Sequence, residues 1–341
     1  MFEILSIQAD NGDCLFVSYG ECDRPRHLLI DGGTTEVIDN LIEVLTAHRS
    51  GERLRLEALV VTHYDLDHIQ GIIELLRKPP EWLEIADVWF NGRHHLVPRD
   101  VLGHEEGTEL SKLINDRYPW NAAFGDKVIK TGKRAELPGG MIVSVVSPGD
   151  LQLANLRAEW PAGKEPGGED AAEAARDLLG RKDTWPPGSF MDALLAKNSN
   201  DTSAPNGSSI ALVLEFDGKR ALLTGDAFSS VVADGIRRFW PSGRLDVALF
   251  KLSHHGSKRN TDEKLLAGVN CPSYLFSTNG RTHFHPDTAL IARVLKHSSK
   301  PVLIFNYAGD RMTNWETVPD GWPSYTTDYP RAGEPFVKIT L

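Results

Sequence analysis

Four residues of metal-ligating type crowd into one short stretch: His63, Asp65, Asp67 and His68 in Val61-Thr62-His63-Tyr64-Asp65-Leu66-Asp67-His68-Ile69-Gln70-Gly71. Imidazole nitrogens and carboxylate oxygens packed this closely repel one another or stay unpaired when buried, unless a cation sits among them. For one such residue the plain alternative is a solvated loop with Asp67 capping the next helix. For all four at this spacing the chemistry points to a metal site. The apolar run Ala58 to Val61 reads as a buried strand that stops at Thr62. Ile69 to Leu76 reads as a helix that ends before Pro79-Pro80. The ligands therefore fall on a short loop between a strand end and a helix start.

The elements that must hold this loop are spread over a chain of 341 residues, enough for a large core. Composition is that of an ordinary globular protein. The formal net charge of −10 gives no general affinity for nucleic acid, so a polyanionic substrate would need a locally positive site, which bound metal ions could supply. Cys14, Cys22 and Cys271 are odd in number and widely spaced, which fits neither a disulfide framework nor a CxxC zinc site. The N-terminus has no basic n-region or long apolar h-region, and no apolar run approaches the roughly 18–20 residues of a membrane span. These features predict a cytoplasmic chain without membrane contact.

Along the chain, strands are expected at residues 2–7, 14–19, 27–30, 87–90, 128–130 and 141–146. Helices are expected at 38–48 and 108–118. Asn11-Gly12-Asp13 reads as a turn. Asp31-Gly32-Gly33 follows a strand directly; the glycines permit close backbone approach, and Asp31 can orient a neighbouring ligand, although the triplet is also common turn chemistry. His94 and His95 read as a surface loop pair, with substrate contact at the site as the alternative. Residues 150–205, rich in Gly, Pro and Ala, read as an insertion or connector with a helix at 171–179. Beyond it, strands are expected at 208–216, 220–223, 247–252, 273–277, 302–306 and 336–341, with helices at 229–239 and 288–297. Asp217-Gly218 is a hairpin signal. Ionisable clusters recur at strand ends: Asp31, His63 to His68, Asp226, His254-His255 and His285. That is how an α/β scaffold assembles a site on one edge of a sheet.

Taken together these motifs resemble the metallo-β-lactamase superfamily. Asp31 matches the family's early Asp. His63-Tyr64-Asp65-Leu66-Asp67-His68 matches His-x-His-x-Asp-His, with Asp65 in place of the middle His. Asp226 in Leu222-Leu223-Thr224-Gly225-Asp226 matches the bridging Asp, and His254 or His255 the final His. The branch it most resembles is the soluble nuclease domain of ComEC-type competence proteins, which also carries an Asn-x-Ser-type strand start (Asn206, Ser208, Ser209), a Thr-Gly-Asp, a His-His-Gly-Ser turn and a late His-Pro (His285-Pro286). The histidine that many relatives supply near Asn206 is missing. The resemblance implies one αββα sandwich of two mixed sheets flanked by helices, spanning residues 1–341 with the insertion at about 150–205.

It also implies a binuclear site for two divalent ions, Zn²⁺ or Mn²⁺. His63 and Asp65 would hold one. Asp67, His68 and His255 would hold the other, with Asp226 between them and His254 nearly as good a choice as His255. Two ions about 3.5–4 Å apart lower the pKa of a bridging water and stabilise attacking and leaving oxygens. His285 is expected to protonate a leaving oxygen or grip a phosphate. Asp31, Asn206, Ser208, Ser257 and Lys258 are expected around the ligands or the substrate. The function implied is a phosphodiesterase or nuclease acting on nucleic acid or a small phosphodiester. The same centre would serve a phosphorylcholine-esterase-like enzyme, a lactonase, or a binding module with a vestigial site. Iron-dependent redox chemistry on this fold would carry a Glu in the ligand motif, and none is present.

Overall fold

The computed structural model describes residues 1–96, 109–115, 117–160, 183–196 and 199–341. The helix expected at 171–179 lies outside them.

Strands β1 (Phe2–Ile7), β2 (Leu15–Glu21) and β3 (Arg24–Ile30) form an antiparallel meander. Helix α1 (Ile38–Ala47) then returns the chain, so that β4 (Leu54–Val60) pairs with β3 in parallel. Helix α2 (Leu66–Arg77) leads to β5 (Leu83–Ile85) and β6 (Val88–Trp89), both parallel to β4.

The second sheet repeats this plan. An antiparallel run, β7 (Arg134–Leu137), β8 (Met141–Ser147), β9 (Ala211–Phe216) and β10 (Lys219–Leu223), is followed by parallel β12 (Leu249–Lys251), β14 (Ser273–Phe276), β15 (Val302–Phe305) and β16 (Thr326–Asp328). The short β11 (Leu245–Asp246) and β13 (Val269–Asn270) pair apart from it. The final strand, β17 (Phe336–Thr340), returns to the first sheet beside β1.

Burial resolves these elements into four layers. Ile4, Val17, Leu28 and Val60 of the first sheet meet Val143, Leu212, Leu223 and Leu249 of the second in one apolar core. The outer face of the first sheet packs under α1 and α2 through Phe16, Leu29, Leu45, Leu59 and Ile72. The outer face of the second packs under the helices Ser229–Phe239 and Thr288–His297. Two mixed sheets face to face with helices outside are the αββα arrangement. It explains why all six residues of β1 are buried: Phe2 and Ile4 enter the inter-sheet core while Leu5 and Ile7 lie under helices, so no polar face shows.

Several expected elements differ. Residues 128–130 are not a strand. The Asn91 side chain takes both the N–H and the carbonyl of Ile129, at 2.8 Å each, so no ladder forms. The helix expected at 108–118 is seen as Glu109–Ile114. The strand expected from Ser208 starts at Ala211, because Ala204–Gly207 is a helical turn. Ile210 N–H then donates to the Thr62 carbonyl at 2.9 Å, which joins the second sheet to the ligand stretch of the first. Among the described residues no helix is long and apolar enough to cross a membrane.

Candidate metal centre

The side chains with chemistry gather where the parallel strands end. His63 follows β4, Asp226 follows β10, His254 and His255 follow β12, and His285 lies beyond β14. The ligand stretch is not wholly a loop. Asp65 stands at the N-cap position of α2 without a side-chain capping bond, and Asp67 and His68 lie in the first helical turn. The negative charge of Asp67 suits that end of the helix. Glycine permits the close seating: a Cβ on Gly71 of α2 would lie 2.0 Å from the Gly32 carbonyl oxygen, and one on Gly12 would lie 1.6 Å from that of Asp67.

Asp226 is the centre of the cluster. Its Oδ2 lies 3.5 Å from His255 Nε2, 3.8 Å from His254 Nε2 and 4.0 Å from His63 Nε2. Its Oδ1 lies 3.5 Å from His68 Nε2. Asp65 Oδ2 adds a 3.4 Å approach to His63 Nε2, and Asp67 Oδ2 a 3.4 Å approach to His255 Nε2. Both histidines of the His254-His255 pair thus face one carboxylate. The backbone makes this arrangement: His254 (φ 50°) and His255 (φ 55°) are successive left-handed residues before Gly256 (φ 96°). Non-glycine residues adopt this region at a cost of about 1–2 kcal/mol each. Here it turns two adjacent imidazoles toward the same point.

Every one of these histidines has its other nitrogen against oxygen. His68 Nδ1 is 2.8 Å from Asp31 Oδ2, and Asp31 also accepts from Thr62 N–H at 2.8 Å and from its hydroxyl at 2.7 Å. His255 Nδ1 is 3.0 Å from the Ser277 carbonyl and 3.2 Å from Asp13 Oδ1. His254 Nδ1 is 3.0 Å from Asn260 Oδ1 and 3.4 Å from Asp201 Oδ2. His63 Nδ1 meets the hydroxyls of Thr62 at 3.0 Å and Ser209 at 3.1 Å. Oxygen behind Nδ1 favours the Nδ1–H tautomer and turns the Nε2 lone pair inward, as in metal-ligating histidines. His63 Nε2, His68 Nε2, His255 Nε2 and Asp226 Oδ1 are buried without a hydrogen-bond partner. Asp13, His68, Asp226 and His255 each offer a ligand-type atom within 4.8 Å of the others. Inward lone pairs with nothing to bond are what a cation site requires, so the donor set fits a metal.

The charges are mutually adjusted. Burial would raise the Asp226 carboxyl, but His255, His68 and His254 outweigh it and hold the group well below its usual range. Asp67 is lowered for the same reason, with His68 the strongest opponent of burial. Burial would lower His68 and His255, but Asp226 and the surrounding carboxylates push both well above the ordinary imidazole value. Protons on the imidazoles balance the carboxylates here, and a divalent cation competes for the same lone pairs.

The remaining predicted residues take these places. His285 is buried, its Nδ1 is 3.6 Å from Asp287 Oδ2, and its ring is 5.7 Å from that of His254. Burial and the neighbouring histidines lower its pKa well below the usual value. Asn206 stands behind His254, donating to Asp201 Oδ2 at 2.7 Å. Ser208 turns away and donates to the Pro205 carbonyl at 2.7 Å. Its neighbour Ser209 faces the site instead, accepting from Asp226 N–H at 3.0 Å. Ser257 is buried, and its Oγ accepts from Arg259 N–H at 3.3 Å. Lys258 N–H donates to Asp287 Oδ2 at 2.8 Å. Local pattern gives no site role to Asp13, Asp201 or Asn260: Asp13 reads as a turn residue and Asp201 as part of the connector.

No family model matches the chain. ComE operon protein 3 of Bacillus subtilis (strain 168) is 24% identical over 314 residues, which are 87% of this chain and 31% of that protein. The chain thus spans about a third of that relative's length. Similar solved structures include the metallo-β-lactamase fold protein YhfI from Bacillus subtilis, 10% identical, with a TM-score of 0.43 over 97% of this chain and 96% of that one. A putative Zn-dependent hydrolase of the metallo-β-lactamase superfamily from Thermotoga maritima is 8% identical, with a TM-score of 0.36 over 97% and 100%. CmlA, a diiron β-hydroxylase from Streptomyces venezuelae, is 9% identical, with a TM-score of 0.42 over 99% of this chain and 54% of that one. The layering of this chain is αββα, two mixed sheets face to face with helices outside.

Proposed function

We propose that the chain is a metal-dependent hydrolase of phosphodiesters, with nucleic acid as the favoured substrate. The observation that carries the reading is the ring of inward Nε2 atoms around Asp226, each backed by oxygen at Nδ1. His63, Asp65 and His254 would hold one divalent ion and Asp67, His68 and His255 the other, with Asp226 shared. His254 then stands in for the histidine absent near Asn206. When bound, two such ions, Zn²⁺ or Mn²⁺, supply Lewis acidity toward a phosphoryl oxygen and a nucleophile at neutral pH. The order of motifs along the chain, which resembles that of ComEC-type nuclease domains, favours a phosphodiester over a carbonyl substrate.

The protein's own groups divide the remaining work. Asp31, Asp13, Asp201 and Asn260 orient the imidazoles. His285 is held neutral by burial and by His254, His255 and His283, so it serves better as a hydrogen-bond partner for a substrate oxygen than as a resting proton donor. Lys258 and Arg259 follow the His254–Ser257 turn and are placed in sequence to meet phosphate.

The test is to incubate the purified protein with Mn²⁺ or Zn²⁺ and DNA, RNA, bis-p-nitrophenyl phosphate and a lactone panel. Phosphodiester cleavage that Asp226→Ala and His68→Ala abolish is the expected result. Lactone turnover without phosphodiester cleavage, or metal uptake without any turnover, would count against the proposal.

A further inference from the structure

One ionisable group inside the fold has no part in the scheme above. Lys251 ends β12, a short strand between parallel neighbours β10 and β14, where an apolar side chain is the rule. It is 0% exposed. An unpaired ammonium there would be prohibitively unfavourable. Lys251 instead forms an ion pair with Asp13 Oδ2 and donates to the Gly225 carbonyl at 3.2 Å. Asp13 is 1% exposed, and its other oxygen lies 3.2 Å from His255 Nδ1.

A buried ion pair is weak evidence of stability, since two apolar side chains of similar volume usually serve as well or better. What this pair does that an apolar pair cannot is connect three separate segments: the turn after β1, the loop carrying Asp226, and the strand that runs into His254 and His255. Ser277 reinforces the join, its hydroxyl donating to the Gly12 carbonyl at 3.0 Å while its carbonyl faces His255 Nδ1.

We infer that Lys251 and Asp13 are a buried positioning pair that sets the affinity of the cation held by His255. This deepens the metal-centre reading and rests on it. Asp13, together with the Ser277 carbonyl, backs His255 Nδ1, and Lys251 aligns Asp13 while pinning the carbonyl just before Asp226. Asp13 Oδ2 pairs with Lys251, and its Oδ1 lies 3.2 Å behind His255 Nδ1, on the side of the ring away from Asp226.

The experiment compares the whole chain with Asp13→Asn and with the double variant Asp13→Asn/Lys251→Met. Both are dialysed free of metal, then followed by thermal unfolding and by calorimetric titration with Mn²⁺. The double variant removes both charges together, so it is expected to unfold within a few degrees of the parent. Asp13→Asn retains an oxygen for Lys251 and guards against failure of the double variant to fold. Each is expected to bind one Mn²⁺ with parent affinity and the other about 10–100-fold more weakly. Two ions at parent affinity in either folded variant would overturn the assignment while leaving the metal centre standing. Absence of Mn²⁺ binding by the parent chain would overturn both.

Discussion

Asp31→Asn tests the geometry of the centre with a change of one atom. Asp31 is fully buried and accepts three hydrogen bonds: Oδ1 from Thr62 N–H at 2.8 Å, and Oδ2 from the Thr62 hydroxyl at 2.7 Å and from His68 Nδ1 at 2.8 Å. Its φ is 58°, a conformation asparagine tolerates, so the substitution adds little backbone strain. An asparagine must place its NH₂ at one of the two oxygen positions. A backbone N–H cannot reverse its polarity, whereas a hydroxyl and an imidazole can. The NH₂ therefore takes the Oδ2 position and faces His68.

When His68 gives up a proton for metal uptake it then has to accept at Nδ1, and the proton it keeps sits on Nε2, which points at Asp226 Oδ1 from 3.5 Å. The inward lone pair is lost. The expected loss of affinity for one of two ions is about 10–100-fold, or roughly 1.4–2.8 kcal/mol. That agrees with about 1.5–3 kcal/mol for a hydrogen bond to a charged group. Metal titration of dialysed protein measures the affinity, and a long-range ¹H–¹⁵N correlation of the imidazoles reports the tautomer. Unchanged binding of two ions, or a neutral His68 in the variant whose single proton is still on Nδ1, would refute the reasoning.

His68, His255 and His254 all have raised pKa values in the metal-free chain, so each favours folding below the ordinary imidazole value near 6.5, and that contribution fades as pH rises through the raised value. Metal needs these nitrogens deprotonated. Uptake at pH 6.5 should release protons and tighten with pH, as calorimetry in buffers of different ionisation heat will show; zero proton release would contradict the charge balance described here. Gly71→Ala gains up to about 1 kcal/mol of helix propensity but sets a Cβ 2.0 Å from the Gly32 carbonyl oxygen, backbone against backbone. Urea unfolding should show a net loss of more than about 2 kcal/mol, and a neutral or stabilised variant would mean that α2 is not seated against the β3 end as described.

What the sequence made legible was whatever acts through near neighbours. Apolar runs bounded by glycine and proline marked the longer strands and the helices over Ile38–Ala47, Ser229–Phe239 and Thr288–His297. Where a side chain stood in for a neighbouring strand, as Asn91 does for Ile129, the local pattern misled. Two-residue strands such as β11 and β13 are too short to show any period.

The centre divides along the same line. The crowding of His63, Asp65, Asp67 and His68 shows in one dimension because the four are adjacent. The choice between His254 and His255 could not be made there, because it turns on two left-handed residues that direct both rings toward Asp226. Asp13 and Asp201 looked like turn and connector residues. They became supports for His255 and His254 only when segments 242 and 53 positions apart in the chain met. Periodicity and spacing are properties of neighbours along the chain. Which oxygen stands behind which imidazole is decided by how two sheets pack, and only the folded chain contains that.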